Sequence, residues 1–294
     1  MRELILAFLT VGAVVLLPGQ NIDSNAIYSH TQLIQNGGIT FVESEGYDVA
    51  REYIYAQLDK KGLKKIKRRF KIPKDQEPTI SEEFPKAQIF RAYEEIDGER
   101  VIQRTYYCYE SGPLLVEIIG TAAISGPDQA LEEFLVKSLK QETFPEYVHS
   151  TMFVDSINFA GRYIQLGSAC SWRGAHNLQC PNRGQMNWSE FSSPERAEEM
   201  ILNQQKVTRS RHLVSASEID TVRIIFEGQE TVATRNKLKV KLPKLLIGGS
   251  NVLIVYYVIC EVRGRYVACV LSHYDDEADG GLPPLLREVM EFAK

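Results

Sequence analysis

The chain has 294 residues, of which 44% are hydrophobic and 24% are charged, with 20 glycines and 12 prolines. This composition excludes a disordered, a collagen-like and a polytopic membrane protein. The 34 Lys and Arg residues face 38 Asp and Glu residues, and the net charge of −4 argues against a nucleic-acid-binding protein. The length fits one large domain or two modest ones, and either can bury a hydrophobic core.

The N-terminus has the order of features of a secretory leader. Arg2 precedes an uncharged apolar run from Leu4 to Leu17, and Pro18-Gly19 interrupts it. A helix over this run is about 21 Å long at about 1.5 Å per residue, which is too short for a bilayer core of about 30 Å. We expect residues 1–19 to be a signal peptide and the mature protein to be secreted or periplasmic. Because no small-x-small cleavage triplet follows the run, an uncleaved N-terminal membrane anchor is the alternative.

The first half of the chain predicts a helix, a hairpin, a strand and a second helix. Apolar residues at three-to-four spacing predict a helix over Val49 to Leu58 that ends at Gly62. Asp97-Gly98 separates two strand-like runs and is typical of a type I′ hairpin turn. A strand is expected over Leu114 to Ile124, and Pro127 is well placed to begin the next helix.

The second half has a similar order of elements. Ser193-Pro194 predicts a helix start, because serine caps helices and proline suits their first position. Two hairpins are expected to turn at Gly228-Gln229 and at Gly264-Arg265. The second of them begins with the apolar strand Val252 to Val262, and Pro283-Pro284 precedes a predicted final helix.

These patterns predict an α+β fold in which antiparallel sheets pack against helices. The repeated order indicates two tandem related units at residues 20–145 and 146–294, with one continuous α+β domain as the alternative. The order of elements in Val252 to Phe292, and in its counterpart Leu114 to Leu139, resembles the PsbP/Mog1-type sandwich. The resemblance implies a long antiparallel sheet with a terminal helix lying across it, and it carries over no functional residue.

The five cysteines cannot all form pairs. Cys170 and Cys180 are ten residues apart and predict a disulfide that staples the segment between them. A two-residue turn at the Gly264 hairpin places Cys260 opposite Cys269 and predicts a second disulfide, with two buried thiols as the alternative. Cys108 is then the buried, unpaired thiol.

The segment Cys170 to Phe191 contains both tryptophans of the chain together with several polar side chains. We expect it to be a stapled loop through which a non-catalytic protein binds an extracytoplasmic partner or ligand. The candidate binding residues are Trp172, Arg173, His176, Arg183 and Trp188. The alternative places the tryptophans at the edge of the core.

A hydrolase is the alternative function. His273, Asp275 and Asp276 follow the last predicted strand, where a general acid/base site can form, although a solvated acidic loop explains the same residues. The sequence contains no phosphate-binding loop, dinucleotide fingerprint, nucleophile elbow or HExxH motif, and we expect neither a cofactor nor a metal site.

A basic run extends from Lys60 to Lys71. Outside the cytosol it predicts weak contact with an anionic surface, whereas the leader removes nucleic acid from reach. The alternative is a solvated, lysine-rich helix end.

Overall fold

The computed structural model describes residues 22–211, 214–241, 250–275 and 281–294. In this part of the chain two mostly antiparallel sheets pack with helices, so the predicted α+β class is confirmed. We call the described residues up to 145 the first unit and those from 146 onward the second unit.

The first sheet has seven described strands in the order β4-β5-β6-β3-β2-β1-β7. They are β1 (Gln32–Asn36), β2 (Ile39–Ser44), β3 (Tyr47–Tyr55), β4 (Gln88–Ile96), β5 (Glu99–Gly112), β6 (Leu115–Ala123) and β7 (His149–Ser150). Strand β7 belongs by sequence to the second unit, and the described helices of the first unit are α1 (Ser24–Ser29), α2 (Lys60–Phe70) and α3 (Gln129–Gln141). Only β7 pairs in parallel, with β1, after a short 3-10 turn at Glu146–Val148.

The second sheet has nine described strands in the order β16-β12-β13-β14-β15-β11-β10-β9-β8. They are β8 (Phe153–Phe159), β9 (Arg162–Gly174), β10 (Asn177–Cys180), β11 (Gly184–Phe191), β12 (Val214–Phe226), β13 (Gln229–Val240), β14 (Val252–Val262), β15 (Arg265–Tyr274) and β16 (Met290–Phe292). Its described helices are α4 (Pro194–Ser210) and α5 (Pro284–Arg287). The predicted final helix is therefore short, and Met290 belongs to an edge strand instead.

The two sheets share one order of connection. In each sheet a meander is followed by a helix and a second meander, and the last strands of the two meanders pair: β3 with β6, and β11 with β15. Side chains of α3 pack on the outer face of the first sheet, and the segment around α5 packs on the outer face of the second. Helix α4 lies between the sheets, where Met200 and Ile201 contact apolar residues of both.

The helix predicted over Val49 to Leu58 is wrong, because Tyr47–Tyr55 is the strand β3. Val49 and Tyr53 fit a period of two as well as a helical period, and buried and exposed residues alternate at the start of the strand. Gly62 does not end a helix but lies in the first turn of α2, after the cap Asp59. A Cβ atom at Gly62 would stand 1.8 Å from the carbonyl oxygen of Gln57, so the backbone approach itself requires glycine there.

The Asp97-Gly98 turn is confirmed, with φ values of 53° and 82°. The other two predicted turns each lie one residue earlier, at Glu227-Gly228 and Arg263-Gly264. A type I′ turn needs positive φ at both central residues, and in these hairpins glycine takes the second position rather than the first.

This shift of the turn changes the pairing of β14 with β15. Cys260 stands opposite Val267, and Cys269 stands opposite Val258. The predicted Cys260–Cys269 disulfide is therefore wrong, and both thiols are free and buried, as is Cys108. The predicted Cys170–Cys180 disulfide is present. Burial raises the pKa of the Cys108 thiol to about 12, so this thiol is protonated and unreactive.

Thiol labelling tests this cysteine assignment. The native protein should resist a maleimide reagent, because its three free thiols are buried. In denaturant without reductant three cysteines should react, and after reduction all five should react. Mass spectrometry of the labelled peptides would locate the bridge, and only one reactive thiol before reduction would contradict the assignment.

Candidate functional site

The segment Cys170 to Phe191 is not an exposed loop but the end of β9 followed by β10 and β11. Trp172 and Trp188 are 2% and 0% exposed, and their ring centroids lie 5.8 Å apart in the core of the second sheet. The indole nitrogen of Trp172 donates to the Ser150 hydroxyl at 3.2 Å. The expected exposed aromatic surface is therefore wrong, and the core alternative is correct, because alternation along the strands turns these side chains inward.

The other three predicted binding residues are separated. His176 is buried, and its ring stacks on that of Trp188 with 4.9 Å between centroids. Arg183 is half-buried and donates to the carbonyl of Leu166. Arg173 is exposed and lines a cleft between the two sheets. Of the predicted set, Arg173 is the member that is exposed and lines this cleft.

Truncation of Trp188 tests its structural role. Trp188→Ala removes a fully buried ring that contacts Phe159, and we expect the free energy of unfolding to fall by about 3–5 kcal/mol. Urea denaturation of the purified variant measures this change, with the exposed Arg173→Gln variant as the control. Unchanged stability of Trp188→Ala would contradict a core role.

The cleft has a volume of about 400 Å³. It lies over the inner face of the first sheet, the face that α2 covers at one end and the second unit covers at the other. Two neighbouring cross-strand rows form its floor: Asp48, Ala122 and Arg104 in one row, and Phe41, Ala50, Gly120 and Tyr106 in the next. The small side chains in the middle of both rows leave the space between the sheets open.

The walls of the cleft come from different parts of the chain. On one side the Phe70 ring, at the end of α2, lies 4.9 Å from the ring of Tyr106. On the other side the second unit contributes Arg173 near the end of β9, Asn177 at the start of β10, and Asn187, which pairs with Asn177 from the middle of β11. Aromatic and charged groups of the first unit therefore meet polar and charged groups of the second on one concave surface.

Asp48 is the most perturbed carboxyl group in the cleft. The side chain of Asp48 is open to solvent through the mouth of the cleft, but protein atoms surround its carboxyl group on the other sides. This carboxyl group makes no ion pair or side-chain hydrogen bond with the described residues. Burial raises its pKa from 3.8 to about 7, and the neighbouring carboxyl group of Glu43 adds to this effect. The charges of Arg104 and His176 act in the opposite direction. A perturbed acid in a cleft marks a candidate functional group.

Glu43 and His176 form a buried ion pair beside Asp48. The backbone N–H of Gly46 donates to the second carboxylate oxygen of Glu43 at 3.0 Å. Burial opposes the charge on His176, but the carboxylate groups of Glu43, Glu190 and Asp48 together outweigh it, and the pKa of His176 is raised. Because Glu43 belongs to β2 and His176 follows β9, this pair connects the first sheet with the second.

Further ion pairs cross between the units near this contact. His30 of the first unit lies 2.8 Å from Glu190 of the second. Glu45 contacts Arg265 and lies 4.0 Å from Arg196. Together with α4, these contacts hold the second-unit residues that form one wall of the cleft over the inner face of the first sheet.

Of the predicted hydrolase residues, the structure describes His273 and Asp275, and no hydrogen bond joins these two side chains. His273 is buried, and its ring nitrogen Nδ1 lies 2.8 Å from the carbonyl oxygen of Tyr274. Asp275 is exposed, and Asp276 lies outside the described residues. The hydrolase function stays a prediction.

The basic run forms α2 and its C-terminal cap, Lys71. Ile66 is buried against the inner face of the first sheet, whereas Lys60, Lys61 and Lys64 are exposed. Weak contact of Lys60 to Lys71 with an anionic surface stays a prediction.

Protein-family models, curated proteins and solved structures give no match to the chain. Among the described residues, no helix combines the length and hydrophobicity needed to cross a membrane. In the same part of the chain, no group of three or more His, Cys, Asp or Glu side chains is arranged to hold a metal ion.

Replacement of Asp48 tests its environment. Because its pKa is raised on folding, the carboxyl group ionises in the unfolded chain before it does so in the folded chain, and stability is lost as pH rises from about 4 to about 7. Asp48→Asn should match the parent protein near pH 4 and exceed its unfolding free energy by about 1 kcal/mol above pH 7, since solvent screens part of the cost of about 1.4 kcal/mol per pKa unit.

Urea denaturation at several pH values measures this difference. Asp75→Asn is the matched control, because Asp75 is exposed and outside the cleft. A constant difference between Asp48→Asn and the parent at all pH values would show that the Asp48 carboxyl group is not perturbed.

Proposed function

We propose that the protein is a non-catalytic, extracytoplasmic binding protein whose ligand site is the cleft between the two sheets. The observation that carries the proposal is the convergence of Asp48, Arg173 and the ring of Tyr106 on a cavity of about 400 Å³. Small-molecule sites occupy about 300–1,000 Å³ and combine apolar surface with a few placed polar groups. Within the segment Cys170 to Phe191, only the residues that line the cleft, such as Arg173, belong to the proposed site.

Binding is favoured over catalysis by the chemistry of the lining. Thr121 is the described lining residue with an aliphatic hydroxyl, and this hydroxyl donates to Glu132 on the outer face at 3.0 Å. The lining thus offers contacts for a ligand rather than an activated nucleophile with its base.

An extracytoplasmic location is supported by the Cys170–Cys180 disulfide, because such bonds persist in oxidising compartments. The proposed leader at residues 1–19 agrees with this. Intact mass of the exported protein tests it: a chain that starts at Gln20 supports secretion into the periplasm or medium, and a full-length chain in the membrane fraction supports the N-terminal anchor.

We also propose that residues 20–145 and 146–294 are related copies of one α+β unit of PsbP/Mog1-like architecture. The proposal is supported by the shared order of meander, helix and meander, and by the equivalent β3–β6 and β11–β15 pairings. An experimental structure in which these two strand pairs and their flanking helices cannot be superposed would contradict it.

A variant that fills the cleft tests the binding function. Ala50 lies in the middle of the floor, so Ala50→Leu should occupy the cavity and reduce affinity for a cleft ligand at least tenfold. Ala130→Leu is the matched control, because Ala130 is exposed on α3.

Ligand-observed NMR with a panel of sugars, organic acids, amines, amino acids and short peptides measures binding to all three proteins. We expect at least one compound to bind the parent and Ala130→Leu but not Ala50→Leu. Compounds that bind all three proteins equally, or a panel without any ligand, would contradict a binding cleft.

A further inference from the structure

The charges in the cleft are unequally compensated by the protein. Four charged side chains line it: Asp48, Glu52, Arg104 and Arg173. Glu52 forms an ion pair with Arg69, and Arg104 lies 3.0 Å from Glu94. The opposite charges in each pair neutralise one another within the protein. Neither pair therefore needs an oppositely charged group from a ligand.

Asp48 and Arg173 make no ion pair with any described residue. Arg173 uses its Nε–H to donate to the Gln179 amide oxygen at 2.7 Å, which orients the guanidinium group and leaves its terminal nitrogens to other partners. Asp48 projects from β3 of the first unit, and Arg173 from β9 of the second. One negative and one positive group thus line the same cleft from different units.

Aromatic rings lie between and around these charges. Phe41 and Tyr106 flank the small floor residues Ala50 and Gly120, and Phe70 extends this apolar surface. Such rings contact an apolar side chain well, and their faces attract a cation held near a carboxylate.

We propose that the cleft binds a small zwitterion with one ammonium and one carboxylate group, the chemistry of a free amino acid or a short peptide with unblocked termini. The ammonium group binds at Asp48, the carboxylate binds at Arg173, and an apolar side chain contacts the aromatic rings. This inference rests on the proposed binding function of the cleft.

A zwitterion fits better than a neutral or singly charged ligand. A ligand that displaces water from both groups must replace the hydration of each, and a buried charge without a partner is costly. A neutral sugar pairs neither charge, and a simple amine or acid pairs one and leaves the other desolvated. Guanidinium can hold a carboxylate through two parallel hydrogen bonds, which adds geometric selectivity.

The ionisation of Asp48 couples this binding to pH. The charged groups that act on it are Glu43, Arg104 and His176, and Glu52 and Arg173 line the same cleft. Because the pKa of Asp48 is about 7, affinity for an ammonium group should rise as the pH increases from about 5 to about 7, below the range in which a peptide amine loses its own proton.

The test uses the dipeptide Gly-Phe as probe, together with free phenylalanine, N-acetyl-Gly-Phe and Gly-Phe-amide. Isothermal titration calorimetry near pH 7, where a peptide amine is still mostly protonated, should show that the parent protein binds Gly-Phe or phenylalanine, and the stronger of the two identifies peptide or amino acid as the source. Acetylation and amidation should each reduce affinity at least tenfold, because each removes one charge.

Two variants assign the ends of the ligand. Asp48→Asn should bind Gly-Phe and its N-acetyl derivative with equal, reduced affinity, and Arg173→Gln should do the same for Gly-Phe and its amide. The matched controls Asp75→Asn and Arg100→Gln replace exposed residues outside the cleft and should bind like the parent.

Three results would overturn the inference: equal binding of blocked and free peptide, variants that keep the parent's selectivity, or no binding of either zwitterion. If the zwitterions fail while another compound binds the parent and not Ala50→Leu, only the ligand class is wrong. If no compound distinguishes Ala50→Leu, the binding function fails as well.

Discussion

The buried ion pair between Glu43 and His176 fixes how the two sheets meet. Removal of one partner from such a pair typically costs about 3–5 kcal/mol, because the remaining charge stays in a low-dielectric site. The stacking of His176 on Trp188 links this contact to the core of the second sheet. The Glu45–Arg265 contact and the apolar side chains of α4 hold the same two faces together nearby. Both walls of the cleft depend on this arrangement.

The cleft is the part of the inner face that neither α2 nor the second unit covers. Ala50 of β3 lies opposite Gly120 of β6, and Ala122 follows two residues later on the same face of β6, so these two strands place little side-chain volume where a core would otherwise close. Asp48 lies at the edge of this space and is held without an ion pair, at a cost in stability at neutral pH. Proteins commonly accept such a cost where a ligand must be bound.

The errors of sequence interpretation have specific physical causes. Apolar residues from Val49 to Leu58 satisfy a helical period and a strand period alike, and β3 forms because its edges pair with β2 and β6. The sequence pattern predicts Gly264 at the first central position of its turn, whereas glycine takes the second. This one-residue difference changes the strand register, so Cys260 and Cys269 are not opposite each other. The sequence does not reveal most of the candidate site, since Asp48 directly precedes the misassigned helix and the cationic lining residues Arg104 and Arg173 are distant from it in sequence.

From the sequence alone follow the α+β class, the Asp97-Gly98 hairpin and the Cys170–Cys180 bridge. Each depends on residues close together in the chain, so local patterns carry the information. Only the tertiary structure decided that Trp172 and Trp188 are core residues, that Cys260 and Cys269 are free, and that a cleft separates the sheets. These features depend on strand register and on the packing of one unit against the other, and contacts between distant residues leave no local pattern.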